Sequence, residues 1–233
     1  MLKTFLLLIF ILMQTTSSAE PKLEKATFAG GCFWCMEQSF EKLKGVNEVI
    51  SGYTGGHKAA PTYEKVSSGT TGHVEAIQVL YDPSQITYSE LLDVFWRQID
   101  PTDSGGQFVD RGAQYRTVIF YHTDEQKRLA EKSKENLEKS GRYDKPIATE
   151  ILPASKFYRA EEYHQAYYKK SLLKYKYYRF RSGRDQYLKK IWGKTEETNN
   201  PYKKYRKPSK EELKKELTPL QYKVTQENGT EKH

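Results

Sequence analysis

Cysteine is nearly absent from this chain. Its 233 residues hold two, Cys32 and Cys35, both in the stretch GGCFWCME, and none follows residue 35. Stability is therefore a poor motive for a disulfide, because a bridge across so small a loop removes little chain entropy. A structural zinc site is short of ligands: such sites take about four, and no histidine stands near the pair at a ligand-like spacing. Apolar residues are also scarce, at 37%, so the chain can bury one ordinary core while part of it stays polar extension. The longest apolar run, Phe5–Met13, has nine residues, well under the roughly 20 of a membrane-spanning helix. No internal repeat is present. Redox chemistry, or a nucleophile with a resolving partner, is what remains for the CxxC pair.

What is present at the start reads as an export signal. MLKTFLLLIFILMQTTSSAE has a basic start at Lys3, the apolar run, and a polar stretch ending in Ser17-Ser18-Ala19. Residues 1–19 are expected to be a signal peptide cleaved near Ala19, with an uncleaved membrane anchor as the alternative. The mature protein is then periplasmic or extracellular, a setting in which two lone cysteines are expected to pair. The net charge of +8 is unevenly spread: Lys169–Lys215 holds 17 Lys/Arg against 5 Asp/Glu, leaving a basic stretch of +12 on a body of −4. That stretch reads as a docked, solvated extension; the other reading is attraction to anionic lipid or nucleic acid.

Along the chain, KATFAGG is a predicted strand running into Gly30-Gly31. Phe33, Met36, Phe40 and Leu43 then recur at helical spacing over Cys32–Leu43. VNEVISGY and HVEAIQVLY read as strands, the second with Val74, Ala76, Gln78 and Leu80 on one face. TYSELLDVFWRQID is a helix capped at Thr87 or Ser89, YRTVIFYH a strand, TDEQKRLAEKSKENLEKSG a charged helix stopped at Gly141, IATEILP a strand, and RAEEYHQAYYKK a last short helix. Segments 54–73 and 101–114 read as long loops, and loops of that length suggest function. Two βαβ units with an antiparallel pair between them predict an α/β (α+β) protein, a ferredoxin-like α/β sandwich with a mixed sheet and a basic C-terminal extension.

The strand-to-helix junction is chemically distinctive. Cys32 lies at a helix N-terminus, where unpaired N–H groups and the helix dipole favour a thiolate, the nucleophilic form. Gly30 and Gly31 let the backbone turn closely there. Cys35 sits one turn further on, near enough to form a disulfide once Cys32 is oxidised. Phe33 and Trp34 are apolar groups beside the sulfur, or else core packing.

Taken together, FAGGCFWCME, GYTGG, PTYEKVSSGTTGHVEAI, YDP, DPT, RGAQYRTVIFY and EEYHQ resemble the motifs of the A-type peptide-methionine sulfoxide reductases, over roughly Lys25 to Lys170. The resemblance implies reduction of methionine S-sulfoxide, free or in proteins. It implies that Cys32 is the nucleophile and Glu75, in GHVEA, the general acid. An acid near neutral pH needs a raised pKa, which burial supplies; Glu75 also points away from Val74 and Ala76, on a face of its own. Tyr63 and Tyr115 match two phenols that hydrogen-bond the sulfoxide oxygen. Phe33 and Trp34 match the aromatics that hold the substrate's S-methyl group. Asp110 matches a pocket aspartate, and His164, with Gly30 and Gly31, falls in a supporting role.

Attack leaves a sulfenic acid on Cys32. Many relatives reduce it with cysteines in a C-terminal tail; this chain has none there, which leaves Cys35 as the candidate resolving residue. No cofactor or metal is expected to be bound, and the reductant is expected to be an external thioredoxin-like dithiol. The protein is expected to be a monomer without a nucleic-acid partner. The reductase domain is expected to span residues 20–193, followed by a basic linker, 194–208. Residues 209–233, with LTPLQYKVTQENGTE, resemble the opening of a B-type methionine sulfoxide reductase domain, without that domain's catalytic cysteine and CxxC pairs, so no B-type activity is expected. Two other functions fit parts of the sequence: a general thiol–disulfide oxidoreductase built on CFWC, and a basic surface-binding module.

Overall fold

The structure, a computed structural model, describes residues 22–193 and Tyr222. The chain divides into two units, Met1–Trp192 and Gly193–His233; the elements below belong to the first. The expected signal peptide, the basic linker and, apart from Tyr222, the tail over 209–233 lie outside the described residues.

In chain order the elements are β1 (Glu24–Gly30), α1 (Phe33–Glu41), β2 (Val46–Thr54), α2 (Tyr63–Ser67), β3 (Val74–Tyr81), α3 (Tyr88–Trp96), β4 (Gly106–Gln107), β5 (Asp110–Arg111), a 3-10 turn (Ala113–Tyr115), β6 (Thr117–Tyr121), α4 (Asp124–Lys139), β7 (Glu150–Pro153), β8 (Tyr158–Arg159), a second 3-10 turn (Glu162–His164), α5 (Tyr167–Lys170), α6 (Leu172–Arg181) and α7 (Arg184–Trp192). The main sheet has the order β7-β6-β1-β3-β2-β8. Its four inner strands pair antiparallel and, with α1 and α3, form the ferredoxin-like unit. Helix α4 then returns β7 parallel to β6, which makes the sheet mixed, as expected.

Alternation along the strands builds two layers of core. On one face Val74 and Ala76 of β3 meet Ala29, Val118 and Phe120. On the other, Ile77, Val79 and Tyr81 join the main core beneath α1 and α3. Phe28, fully buried at the centre of β1, stacks on Phe40 of α1 at 5.3 Å and on Phe95 of α3 at 5.2 Å. Burying a ring of that size contributes about 1.5–3 kcal/mol, and here it ties both helices to the middle strand.

Three expectations are corrected. The segment 54–73 is not all loop: α2 occupies Tyr63–Ser67. The segment 101–114 holds the β4–β5 hairpin and the start of a 3-10 turn. The helix expected over RAEEYHQAYYKK is broken into β8, a 3-10 turn and α5, with Ala166 in the left-handed region at φ 50. Side-chain bonds win over helical propensity there: the Gln165 amide donates to the carbonyls of Ser51 and Ala160, and its oxygen accepts from Ser51 N–H. A continuous helix could not give Gln165 both its bonds to Ser51 on β2 and its bond to Ala160.

Helix α3 starts at a reciprocal cap. Thr87 Oγ1 accepts from Glu90 N–H at 3.2 Å, and Glu90 Oε2 accepts from Thr87 N–H at 2.8 Å. Thr87→Ala is expected to lower stability by about 1 kcal/mol, read as a shifted urea midpoint with an unchanged slope; an unmoved midpoint would show that the cap contributes nothing.

Candidate active site

The site forms where β1 turns into α1. Gly31 holds φ +79, and a side chain on it would run into Gln107 Cβ at 2.6 Å. At Gly30 a Cβ would meet Met36 Sδ at 2.6 Å and Ile99 Cγ2 at 2.9 Å. The glycine pair therefore lets the chain turn between α1 and the segment after α3, and Cys32 becomes the N-cap residue of α1. The Cys32 side chain makes no capping bond, and the first turn of α1 has no acidic residue. The missing acceptor comes from the sheet: Phe33 N–H donates to Glu75 Oε2 at 3.0 Å.

Glu75 is buried, 2% exposed, not an outward strand residue. Burial pushes its pKa up to about 8, the neighbouring Asp110 and Cys35 add to the rise, and the Phe33 N–H opposes it. Its carboxyl therefore keeps a proton through neutral pH. A cavity of about 90 Å³ is lined by Cys32, Phe33, Trp34, Tyr63, Glu75, Asp110, Tyr115 and Tyr178. Of the residues singled out in the sequence for chemistry or substrate contact, only Cys35 is not in this lining.

Tyr63 opens α2 inside the first segment expected to be loop, and Tyr115, expected as the first residue of a strand, instead closes the first 3-10 turn; both phenols reach the cavity. Burial, and then Glu75, push Tyr63 up to about 12 and Tyr115 higher still, so both keep their protons. Asp110 arrives on the β4–β5 hairpin; burial raises its pKa, and the Tyr178 hydroxyl donates to its carboxyl and opposes the rise.

The aromatic wall is held from behind. Trp34 Nε1–H donates to His164 Nδ1 at 3.1 Å, which leaves the His164 proton on Nε2. Trp34 also stacks on Tyr167 at 3.8 Å. Phe33 packs between Tyr53 and His164 at 5.9 and 5.0 Å. His164 is buried and lies 4.5 Å from the Tyr63 ring; it supports the wall from outside the cavity.

Cys32 and Cys35 are both unbridged and both buried. Burial raises the Cys32 thiol well above its ordinary value, with Cys35, Glu75 and Asp110 adding to the rise. Cys35 is lowered to about 6, first by a hydrogen bond from Cys32 and then, against its own burial, by Arg184 and Arg179. The neighbouring carboxyls oppose charge on Cys32, while two guanidinium groups favour it at Cys35.

Five residues of this site were missed in the sequence. Glu161 Oε1 accepts from Tyr63 N–H at 2.9 Å, and its Oε2 accepts from the Tyr53 hydroxyl at 2.8 Å; Tyr53 is the register partner of Glu75. Tyr178, Arg179 and Arg184 come from the basic stretch. Over residues 169–193 the stretch is docked and not merely solvated: Arg184 is 1% exposed and Tyr175 is 2% exposed. Tyrosine and arginine at Tyr175, Tyr178 and Arg179 follow a helical i, i+3, i+4 spacing, the one signal by which an inward face could have been found.

Comparison with known proteins places this geometry among relatives. The family described as peptide methionine sulfoxide reductase matches residues 24–196. The chain is 59% identical over 170 residues to the peptide methionine sulfoxide reductase MsrA of Listeria monocytogenes serotype 4b, covering 73% of this chain and 96% of that protein. It is 49% identical over 232 residues to the peptide methionine sulfoxide reductase MsrA/MsrB of Vibrio cholerae; that match takes in 94% of this chain but 61% of the relative, so the chain spans about three fifths of it. Among solved structures, Mxr1 of Saccharomyces cerevisiae in reduced form aligns with a TM-score of 0.61 at 38% identity, over 64% of this chain and 86% of that one. Methionine sulfoxide reductase A of Corynebacterium diphtheriae aligns with a TM-score of 0.59 at 33% identity, over 66% and 77%. With a family match over most of its length and a cavity built from that family's motifs, the chain belongs to the peptide methionine sulfoxide reductases.

Proposed function

We propose that this protein reduces methionine S-sulfoxide, free or in proteins, to methionine. The observation that carries the reading is Glu75: a carboxyl buried at the N-terminus of α1, beside Cys32, in a cavity whose other walls are aromatic rings, phenols and Asp110. The substrate's S-methyl group lies against Phe33 and Trp34, and its oxygen accepts hydrogen bonds from Tyr63 and Tyr115. Glu75 gives its proton to that oxygen as Cys32 attacks sulfur. The oxygen passes to Cys32, methionine leaves, and the Cys32 proton returns the acid to its starting state, so the products are methionine and a Cys32 sulfenic acid. Fixed donors at an oxygen gaining charge lower the barrier without reorganisation.

Cys35 then attacks the sulfenic sulfur, forming the Cys32–Cys35 disulfide and water. A thioredoxin-like dithiol restores both thiols; Cys35 as resolver follows from its position one turn after Cys32. We read the enzyme as exported on the strength of the Phe5–Met13 segment, with oxidised exported proteins as its substrates; its reductant is then a dithiol protein of the same compartment.

With dabsylated methionine sulfoxide, the wild type is expected to consume one epimer only, and Cys32→Ser none; activity in that variant would sink the reading. Because the acid form of Glu75 is the working one, single-turnover methionine release should fall as pH rises through about 8. Glu75→Gln should lower the rate by about 10²–10⁴-fold and lose that alkaline limb; a limb that persists would assign it to another group. In Cys35→Ser, a burst of one methionine per enzyme should survive while steady-state turnover with a dithiol protein collapses. An unchanged steady-state rate would make Cys35 a bystander.

A further inference from the structure

The basic stretch contributes two cations that turn inward, and their partners are unusual. Arg184 is buried at 1% exposure. Its Nη2–H donates to Gly30 O at 3.1 Å and its Nη1–H to Gln98 O; Nη1 also lies 3.8 Å from Met36 Sδ, and the guanidinium sits 4.7 Å over Phe108. All of these partners are neutral, and its Nε has none. Among the described residues Arg184 forms no salt bridge with a carboxylate. Asp110 lies within Coulombic range of it, but that carboxyl is bonded to the Tyr178 hydroxyl and its own burial raises its pKa, so a buried cation in this position favours a further anion beside it.

Arg179 wraps the same spot from α6. Its Nη1–H donates to Cys35 O at 3.0 Å, and its Nη2–H reaches Gln98 Oε1 at 3.4 Å, the residue whose carbonyl holds Arg184. One edge is paired with Asp185 at the surface, Nε to Oδ1 at 2.8 Å. Cys35 itself is fully buried against Tyr168 and Tyr175, a wall in which a thiolate could not persist without cations. The titratable and charged groups facing Cys35 are Cys32 at the N-cap of α1, Glu75 from β3, Asp110 from β5, Tyr168 from α5, Tyr175, Tyr178 and Arg179 from α6, and Arg184 from α7.

We propose that Arg179 and Arg184 are the counter-ions of a Cys35 thiolate, and that the α6–α7 segment is thereby a working part of the second half of the cycle. This rests on Cys35 being the resolving residue. The step balances without a further reactant. The Cys35 thiolate attacks Sγ of the Cys32 sulfenic acid, the S–S bond forms as S–O breaks, and the departing hydroxide takes the Glu75 proton to leave as water. The cysteine that was an anion and the one that was a sulfenic acid become one disulfide. Arg179 and Arg184 act through Cys35 and are positioning residues.

The test follows one turnover by rapid acid quench and intact-mass analysis, which separates the sulfenic acid from the disulfide. Arg179→Gln, a change at the partly exposed member of the pair, should lengthen the sulfenic-acid lifetime about tenfold at pH 7, with the loss recovered as pH rises. Arg179→Lys should restore most of the rate. In a Cys32→Ser background, the 240 nm thiolate absorbance of Cys35 should titrate about one pH unit higher when Arg179→Gln is added, the shift that corresponds to tenfold. Arg184→Lys, which keeps the charge but not the fork, is the second variant. An unchanged lifetime and titration in Arg179→Gln would overturn the proposal, as would a slowing that is equal at every pH, the mark of a merely structural role. If Cys35→Ser leaves the sulfenic-acid lifetime unchanged in the same assay, the resolver reading fails and the proposal falls with it. If Cys35→Ser lengthens the lifetime and the arginine variants do not, the proposal alone fails.

Discussion

The hydrogen bond from Phe33 N–H to Glu75 Oε2 joins the two parts of the molecule on which everything else depends. A helix begins with N–H groups that its own turns cannot satisfy. In α1 neither the N-cap side chain nor an acidic residue in the first turn answers them. A carboxyl from the middle of the sheet does so instead, and it is fully enclosed in the process. The same enclosure holds its proton to about pH 8. One side chain is therefore both the cap that seats the helix and the group with a proton to give beside Cys32. The two demands oppose each other: the N–H favours the ionised carboxyl and burial the neutral one, and burial wins.

Around that bond the site is assembled from segments with little regular structure of their own. Tyr63, Asp110 and Tyr115 come from α2, the β4–β5 hairpin and a 3-10 turn, all short. Tyr63 and Asp110 are positioned by hydrogen bonds to more distant parts of the chain, and beside Tyr115 the Gln114 amide donates to Ser67 O. Glu161 holds the start of α2 and at the same time Tyr53 on β2. His164 fixes the Trp34 indole through a single nitrogen. The broken helix around Gln165 makes this possible, since its two bonds to Ser51 on β2 and one to Ala160 fix the turn that presents Glu161 and His164.

The C-terminal helices close the other side of α1, and their charge has two fates. Lys174, Arg181, Lys189 and Lys190 are exposed and behave as the solvated face expected of a basic stretch. Arg179 and Arg184 turn inward to the carbonyls of Cys35, Gly30 and Gln98. Peptide carbonyls can satisfy a guanidinium's donors but cannot neutralise it, which is why the neighbouring thiol is drawn toward its ionised form. The two cysteines differ as a result: carboxyls lie near both, but the two cations favour charge at Cys35.

Much of this was legible in the residue order, for local reasons. A period-two pattern marked β3, short apolar runs marked the other inner strands, and amphipathic patterns marked α1, α3 and α4, because those helices have one apolar face. Gly30-Gly31 before Cys32 marked a tight strand-to-helix turn. The motif series singled out eight residues of chemistry or substrate contact, and seven of them line one cavity. Alternation along β3 put Glu75 opposite Val74 and Ala76, but only the helix packed over that face made it buried, and burial is what sets its proton. The break after Arg159, the seat of Glu161 against Tyr63, and the inward turn of Arg179 and Arg184 were invisible in the order of residues. Each depends on a partner about 80 or more positions away, brought close by the sheet. The sequence by itself determined which groups are available and which local turns they occupy. The tertiary structure decided which of them lose water and which charges face each other, because desolvation and Coulomb interaction depend on distance in space.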